Sequence, residues 1–201
     1  MSRPAVPASD SGVCVRDAAA SGRALLLAEL DDYAPFDERE REMTEQLRAF
    51  VAAHDDCFER TMSAGHVTGS AWVVERSLRR ALLMHHRKLE RWLQFGGHAD
   101  GDSDVRRVAL REAREESGLE NIVLAREAIY DIDVHPIPAR GGEPAHLHYD
   151  VRFACFADPK ETLHPNAEAH ALAWVELARI EDVKIDDSVR RLARKTETLC
   201  S

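Results

Sequence analysis

Cysteine is scarce in this sequence, and the four cysteines are widely spaced. Cys14, Cys57, Cys155 and Cys200 show neither the regular pairing of a disulfide framework nor the short spacings of a zinc site. This pattern argues against a small secreted domain that depends on disulfide bonds. It is typical of reduced thiols, so we expect a cytoplasmic protein.

Long hydrophobic runs are also missing. No segment approaches the ~20 apolar residues that a membrane-spanning helix needs, and residues 1–20 lack the pattern of a secretory signal. Positive charge is in deficit, since 36 acidic residues against 27 lysines and arginines give a net charge of −9. We therefore expect no membrane partner and no nucleic-acid partner. The 201 residues suffice for one domain, with or without an extension.

The N-terminal part of the chain predicts a tail followed by two helices. Residues 1–20 mix polar residues with proline and are expected to be frayed. Residues 21–33 and 37–54 place apolar side chains at helical spacing. Because this helical pair holds no cluster of reactive side chains, we interpret residues 1–60 as a packing or dimerisation extension, and the second case predicts a homodimer. Residues 61–201 would then form a separate domain.

Strand patterns begin after residue 66. The predicted strands are Val67–Val74, Ala81–His85, Trp92–Phe95, Ile122–Val134, Leu147–Phe156 and Ala171–Val175. A helix is predicted between the third and the fourth of these strands, and Asp187–Leu199 is predicted as a closing helix. Strands on both sides of a central helix indicate an α/β sandwich.

The most informative stretch is residues 97–119, GHADGDSDVRRVALREAREESGL. Spacings of three and four place Glu112, Glu115 and Glu116 on one helical face, which also carries apolar residues such as Val108. A solvated charge run would lie opposite the apolar stripe. Carboxylates that lie on it repel one another unless a positive charge is present, and such oxygen ligands suit Mg²⁺ or Mn²⁺. The stretch therefore predicts a divalent-metal site.

The same stretch resembles the signature of the Nudix hydrolases, G-x5-E-x7-R-E-U-x-E-E-x-G-U, in which U is apolar. The fixed positions are matched by Gly97, Arg111, Glu112, Glu115, Glu116 and Gly118. One position departs, because Ser103 stands where the signature has its first glutamate. The resemblance covers about residues 65–200 and implies a Nudix-type α/β/α sandwich with a mixed sheet, preceded here by the N-terminal helical extension, so that residues 61–201 would be the Nudix hydrolase domain.

The resemblance also implies an activity, the hydrolysis of a phosphoanhydride bond in a nucleoside-diphosphate-linked or related pyrophosphate substrate. Glu112, Glu115 and Glu116 would hold the metal, with the carbonyl of Gly97 as a further ligand. Arg111 would orient a carboxylate rather than touch the substrate. The substrate would be a small-molecule diphosphate.

The general base is less defined, because members of the family take it from the signature helix or from a distant loop. Glu116 is one candidate, and Glu168, shortly before the last predicted strand, is the other. Arg87 and Lys88 precede the third predicted strand and could bind phosphate. As basic residues of a polar segment they could equally face solvent only.

A predicted hairpin at residues 130–152 has one apolar and one polar face, and the polar face is rich in histidine. We expect His135 to lie opposite His146, with Asp131 and Asp133 fixing the tautomers of the histidines. The candidate residues of a second metal or phosphate site are His98, His135, His146 and His148. Imidazoles would suit Zn²⁺ or another transition metal. The alternative is a solvated polar face of the sheet.

Two other functions remain open on the same scaffold. An enzyme resembling isopentenyl diphosphate isomerase would also use histidines and glutamates around a metal. It would need a cysteine beside the glycine–histidine pair, where this chain has Phe95, Gly96 and Gly97. A non-catalytic ligand-sensing Nudix domain would tolerate loss of the carboxylates, and all three are present.

Overall fold

The computed structural model describes residues 15–142 and 144–200. The helices are α1 (Val15–Asp32), α2 (Glu38–Ala53), α3 (Val105–Ser117) and α4 (Asp187–Lys195), with 3₁₀ turns at Leu177–Asp182 and Thr196–Cys200. The strands are β1 (Gly65–Val74), β2 (Arg80–His86), β3 (Arg91–Leu93), β4 (Phe95–His98), β5 (Val123–Leu124), β6 (Asp131–Ile137), β7 (His146–Phe156) and β8 (Ala169–Glu176).

One mixed sheet contains all eight strands, and β1 lies near its centre. β1 pairs in parallel with β7 over its whole length, from Gly65 opposite Leu147 to Val74 opposite Phe156. It also pairs antiparallel with β2 and β4. β7 continues the sheet through β5 and β6, and β2 continues it through β3 and β8. The mixed sheet expected from the signature is therefore confirmed.

Helices cover both faces of the sheet. On one face, α3 packs so closely on β1 that a Cβ at Gly69 would lie 2.7 Å from the carbonyl oxygen of Val105. On the other face, Leu192 of α4 belongs to the same buried cluster as Trp72, whose indole Nε1 donates a hydrogen bond of 2.9 Å to Thr196 Oγ1. The arrangement is an α/β/α sandwich, as predicted.

The N-terminal helices pack into the body of the sandwich. Leu26 and Leu30 of α1 and Leu47 and Val51 of α2 are buried in the same apolar core as α3. α1 begins at Val15, before the helix predicted from residue 21 and within the segment predicted to be frayed. Residues 1–14, also predicted to be frayed, lie outside the described residues. The domain boundary after residue 60 and the dimerisation role of the pair stay predictions.

The single strand predicted at Ile122–Val134 is wrong, because the structure has two short strands there. Leu124 of β5 pairs with Cys155, and Asp131 of β6 pairs with Arg152. The chain from residue 124 to residue 131 therefore spans only three steps of β7, and the excess residues loop out of the sheet.

Among residues 15–142 and 144–200, none of the helices combines the length and the apolar composition that a membrane crossing requires.

Candidate functional site

The signature helix α3 has well-defined ends. The Asp104 carboxylate accepts a hydrogen bond of 3.2 Å from the backbone N–H of Arg107, which makes Asp104 the N-cap. At the other end Gly118 has a φ of 73°, a left-handed conformation that glycine adopts without strain, and its N–H donates to the Arg114 carbonyl. The caps define the first and last residues of α3, the helix that lies against β4, and β4 carries the glycines of the signature.

Gly97 of β4 lies directly against the Glu112 carboxylate. A Cβ at position 97 would lie 2.5 Å from both Cδ and Oε2 of Glu112, so any larger residue here would displace the Glu112 carboxylate. Arg111 holds the same carboxylate from the other side, since its Nη2 donates to Glu112 Oε1 at 2.8 Å. That nitrogen also donates to the carbonyl oxygen of His98 at 2.9 Å, which ties the helix to the strand. Arg111 is thus placed to orient a carboxylate.

Glu116 is the buried carboxylate of the signature, with only 5% of its surface exposed. Its Oε2 accepts a hydrogen bond of 3.0 Å from the backbone N–H of Gly96. Burial raises the pKa of Glu116 to about 8; the hydrogen bond from Gly96 opposes this, and the charges of Glu112, Glu168 and Glu115 add to it. A divalent cation would remove this penalty, so the donor set fits Mg²⁺ or Mn²⁺. We call Gly97, Glu112, Glu115 and Glu116 the carboxylate site.

The remaining residues of the predicted site are exposed at the surface. Glu115 is exposed on α3, and the three signature carboxylates are not gathered within 4.8 Å of one another. Glu168 is exposed just before β8, and its carbonyl oxygen accepts a hydrogen bond from the backbone N–H of Arg87. Arg87 Nη2 donates to the carbonyl oxygen of Ala169 at 3.0 Å, while Lys88 is exposed in the same turn. The catalytic and phosphate-binding roles of these residues stay predictions.

Five histidine rings come together at one end of the sheet. His66 of β1 pairs directly with His148 of β7, with ring centroids 4.7 Å apart. The rings of His98 and His146 each lie 5.0 Å from that of His66, and His135 lies 5.5 Å from His148. We call these five residues the histidine cluster. Four of them were predicted from the sequence, and the central one, His66, was missed.

The predicted register of the hairpin is wrong by two residues. His135 lies opposite His148, not His146, and His146 lies opposite Ile137, because β6 continues through Pro136 into the segment predicted as loop. A shift of two keeps every side chain on its expected face, so the histidines still share one face. Asp133 Oδ2 lies 3.0 Å from His135 Nδ1, as a tautomer-fixing partner should.

Asp131 does not contact a histidine, contrary to the prediction. It is fully buried in a cluster of charges beneath the histidines, where Arg191, Arg152 and Lys195 surround it. The charge cluster consists of Glu40, Asp131, Asp133, Asp150, Arg152, Arg191 and Lys195. Asp131 pairs with cations rather than with histidines because α4 places Arg191 and Lys195 directly against β6.

Arg152 is the centre of this charge cluster. Its Nε donates to Asp150 Oδ2 at 2.7 Å, and its Nη2 lies 3.2 Å from Asp133 Oδ2. Asp150 accepts further hydrogen bonds from the hydroxyls of Thr68 and Ser70 at 2.9 and 2.7 Å. Burial alone would raise the pKa of Asp133, but the charge of Arg152 and the contact with His135 hold it well below its usual range. Asp133 is therefore ionised and paired within the cluster.

A family model described as the NUDIX domain matches residues 64–195, which is more than half of the chain. The chain belongs to the Nudix family. This confirms the family and the enzyme class, a Nudix hydrolase, that the signature predicted. No curated protein matches the chain.

Solved structures add support for the Nudix fold. A binary complex of an Ap4A hydrolase from C. elegans is 16% identical, over 67% of this chain and 96% of its own, with a TM-score of 0.54. A MutT protein from Bacillus halodurans is also 16% identical, over 67% of this chain and 82% of its own, with a TM-score of 0.50. The dihydroneopterin triphosphate pyrophosphohydrolase of E. coli is 13% identical, over 64% of this chain and 92% of its own, with a TM-score of 0.50. At such identities the likeness shows the fold alone.

Proposed function

We propose that this Nudix protein is a divalent-metal-dependent hydrolase of a phosphoanhydride bond in a nucleoside-diphosphate-linked or related small-molecule pyrophosphate. The observation that carries the proposal is the approach of Glu112 and buried Glu116 to the backbone of Gly96 and Gly97. Two carboxylates held against a glycine strand form an oxygen-rich site of the kind that binds a divalent cation. The spacing of the four cysteines, which is typical of reduced thiols, supports a cytoplasmic setting.

Mg²⁺ or Mn²⁺ bound there would neutralise phosphate charge and make a water molecule acidic near neutral pH. Glu112, Glu115, Glu116 and the carbonyl of Gly97 would hold the cation. Arg111 fixes the Glu112 carboxylate through its 2.8 Å hydrogen bond, so that the ligand is oriented before the cation arrives. Arg111 and Glu112 both belong to α3, so the helix itself keeps the carboxylate in this orientation.

The proton of the attacking water needs an acceptor within the site. We assign this role to Glu168 rather than Glu116, because Glu168 is exposed and accessible to water while Glu116 is buried and already accepts the Gly96 N–H. The charge of Glu168 contributes to raising the pKa of Glu116, which supports a position on the same side of the site. Arg87, whose backbone N–H is bound to the Glu168 carbonyl, and Lys88 would bind the phosphates.

The test is a screen of dinucleoside polyphosphates, nucleotide sugars and nucleoside triphosphates with Mg²⁺, Mn²⁺ or Zn²⁺, with products identified by ³¹P NMR. The key variants are Glu112→Gln and Glu168→Gln, and the matched control is Glu120→Gln, an exposed glutamate just beyond α3. We expect Glu112→Gln to lower kcat at least about 100-fold and Glu120→Gln to leave it unchanged. Equal rates in all three variants and the wild type would refute the carboxylate site.

The isomerase alternative is tested by adding isopentenyl diphosphate to the same screen. Isopentenyl diphosphate would be isomerised without release of phosphate, whereas a hydrolase releases phosphate or splits a phosphoanhydride. A ligand-sensing domain would bind a nucleotide and turn over none of the substrates. Either of these results would replace the proposed hydrolysis.

A further inference from the structure

Three histidines direct ring nitrogens at one point on the polar face of the sheet. The ligand atoms of His66, His146 and His148 all lie within 4.8 Å of one another, and no other set of three such side chains among the described residues converges in this way. Nitrogens bound to a tetrahedral metal at about 2.0–2.1 Å lie about 3.4 Å apart. Small rotations of the rings would shorten the distances between the nitrogens to this value. His146, half-exposed at the start of β7, has room to rotate.

His66 is a buried polar side chain without a hydrogen-bond partner. It is only 2% exposed, and among the described residues neither ring nitrogen has a partner; the same holds for His148 Nε2. Buried polar atoms are nearly always satisfied, and an orphaned donor or acceptor costs about 1–3 kcal/mol. A bound metal would satisfy one ring nitrogen of His66 and one of His148 at once.

The state of the rings fits metal binding. Neutral imidazole is the form that binds metal. His146 Nδ1 lies 3.0 Å from the carbonyl oxygen of Pro144, and because a carbonyl only accepts, Nδ1 carries the proton and Nε2 presents its lone pair.

We propose that His66, His146 and His148 bind one transition-metal ion of the Zn²⁺ class, with the fourth position open to water. The ring of His98 lies close to this site, 5.0 Å from that of His66 and 5.1 Å from that of His148. His135 is not a ligand but packs against His148, while the Asp133 carboxylate holds its Nδ1. A site of three histidine nitrogens discriminates against Mg²⁺, which prefers oxygen.

This site is separate from the carboxylate site, although the two share one strand. Gly97 faces Glu112 of α3, whereas the ring of the next residue, His98, lies among the histidines of β1 and β7. Adjacent residues of a strand point to opposite faces, so the two sites lie on either side of β4. The zinc site is independent of the proposed hydrolysis, because it would be occupied whether or not the protein turns over a substrate.

The experiment measures metal content and coordination in the full chain. The protein is stripped with chelator, loaded with Zn²⁺ or Co²⁺, desalted and analysed by mass spectrometry of the metal and by visible absorption of the cobalt form. We expect one retained Zn²⁺ per chain, no displacement by excess Mg²⁺, and the intense visible bands of tetrahedral Co²⁺. A chain that retains no Zn²⁺, or a cobalt spectrum of octahedral oxygen ligation, overturns the proposal.

Substitutions of single histidines and of a pair test which side chains bind the metal. His146→Ala removes a half-exposed ring without disturbing the core and should weaken Zn²⁺ binding by at least about 100-fold. The double variant His146→Ala, His148→Ala should retain no Zn²⁺. The matched control is His164→Ala, an exposed histidine outside the cluster, and it should bind as the wild type does. Equal zinc content in the double variant and the control overturns the proposal. Glu112→Gln should keep its zinc, which separates this test from that of the hydrolase.

Discussion

Arg191 of α4 and Asp131 of β6 form a buried, two-point ion pair. Nε of Arg191 donates to Asp131 Oδ1 at 2.9 Å and Nη2 donates to Oδ2 at 2.8 Å. This ion pair holds α4 against β6, close to the histidine cluster. Four carboxylates in the charge cluster face three cations there, so the loss of any cation would increase an excess of negative charge that already exists in the interior.

The first prediction follows from this imbalance. Arg191→Leu should lower the free energy of unfolding by about 3–5 kcal/mol, because Asp131 and Asp133 lose a paired cation while remaining buried. The neighbouring residue gives the control: Arg190 pairs with Glu181 and Asp187 at the surface, and Arg190→Leu should cost less than about 1 kcal/mol. Urea denaturation followed by circular dichroism measures both. Similar losses in the two variants would mean that burial of the cluster contributes nothing.

The second prediction concerns the N-terminal helices. Lys195 donates to both Glu40 of α2 and Asp131 of β6, at 2.6 and 3.0 Å. Deleting residues 1–60 removes Glu40 and uncovers the apolar residues that α1 and α2 bury, so the shortened chain should aggregate. A chain that begins at Val15 keeps both helices and should stay monodisperse in sedimentation. A soluble, monodisperse chain of residues 61–201 would show that the extension is dispensable.

The third prediction is a pH dependence of the metal-free protein. The folded-state pKa of Glu116 is about 8, well above its value in the unfolded chain, so the folded state holds the proton more tightly. Stability is therefore highest below the unfolded pKa and falls as the pH rises toward 8. Glu116→Gln removes this loss and should stabilise the chelator-treated protein at pH 8.5 by on the order of 2–4 kcal/mol.

Thermal melts at several pH values check this prediction. The wild type without metal should melt at a lower temperature at pH 8.5 than at pH 6, and Glu116→Gln should flatten that difference. Added Mg²⁺ should restore the wild type at high pH and leave Glu116→Gln almost unaffected. A variant with the same pH slope as the wild type would contradict the assignment of the penalty to Glu116.

The fourth prediction concerns the contact between Gly97 and Glu112. Gly97→Ala should displace the Glu112 carboxylate, because the new methyl group would lie 2.5 Å from it, and activity should fall at least about 10-fold with little loss of fold. Gly141→Asn is the control, since that glycine has open space around it and a left-handed φ that asparagine tolerates. Steady-state rates and near-UV circular dichroism measure the two effects. Unchanged kcat in Gly97→Ala would separate the glycine from the metal site.

The signature helix could be predicted from the sequence because its determinants are local. The apolar stripe, the cap at Gly118 and the spacing of the glutamates all lie within 23 residues, and helix geometry converts that spacing into a face. That Arg111 orients a carboxylate was also predicted from this stretch, whereas the hydrogen bonds that join Arg111 to His98 and Glu116 to Gly96 were not. The helix and its face of glutamates needed no knowledge of distant strands.

The histidine cluster was only partly predictable, because it depends on pairing between distant strands. His66 sits in β1, which is buried along its whole length, so no alternation of polar and apolar residues marks it. Its neighbour His148 comes from a parallel strand, and parallel pairing leaves no hairpin signal in the sequence. The register error between β6 and β7 has a similar origin, since a long loop does not fix where the strands begin to pair.

The charge cluster was missed because its partners come from three remote segments. Glu40, Asp131 and Lys195 each belong to a helix or strand whose pattern is ordinary by itself. Asp131 was assigned to the histidines since both lie on the polar face of one hairpin. Asp131 pairs instead with the cations of α4, because a fully buried carboxylate requires a countercharge.

The parallel pairing of β1 with β7 also constrains how the chain is made. Thr68 of β1 and Asp150 of β7, which are hydrogen-bonded, are 82 positions apart, and Glu40 and Lys195 are 155 apart. During synthesis on the ribosome, the centre of the sheet has no parallel neighbour until β7 emerges, and the charge cluster has no lysine until the last helix is released. The sandwich therefore cannot complete its folding before α4 has left the ribosome, and a chain truncated before α4 would keep Asp131 without its partners Arg191 and Lys195.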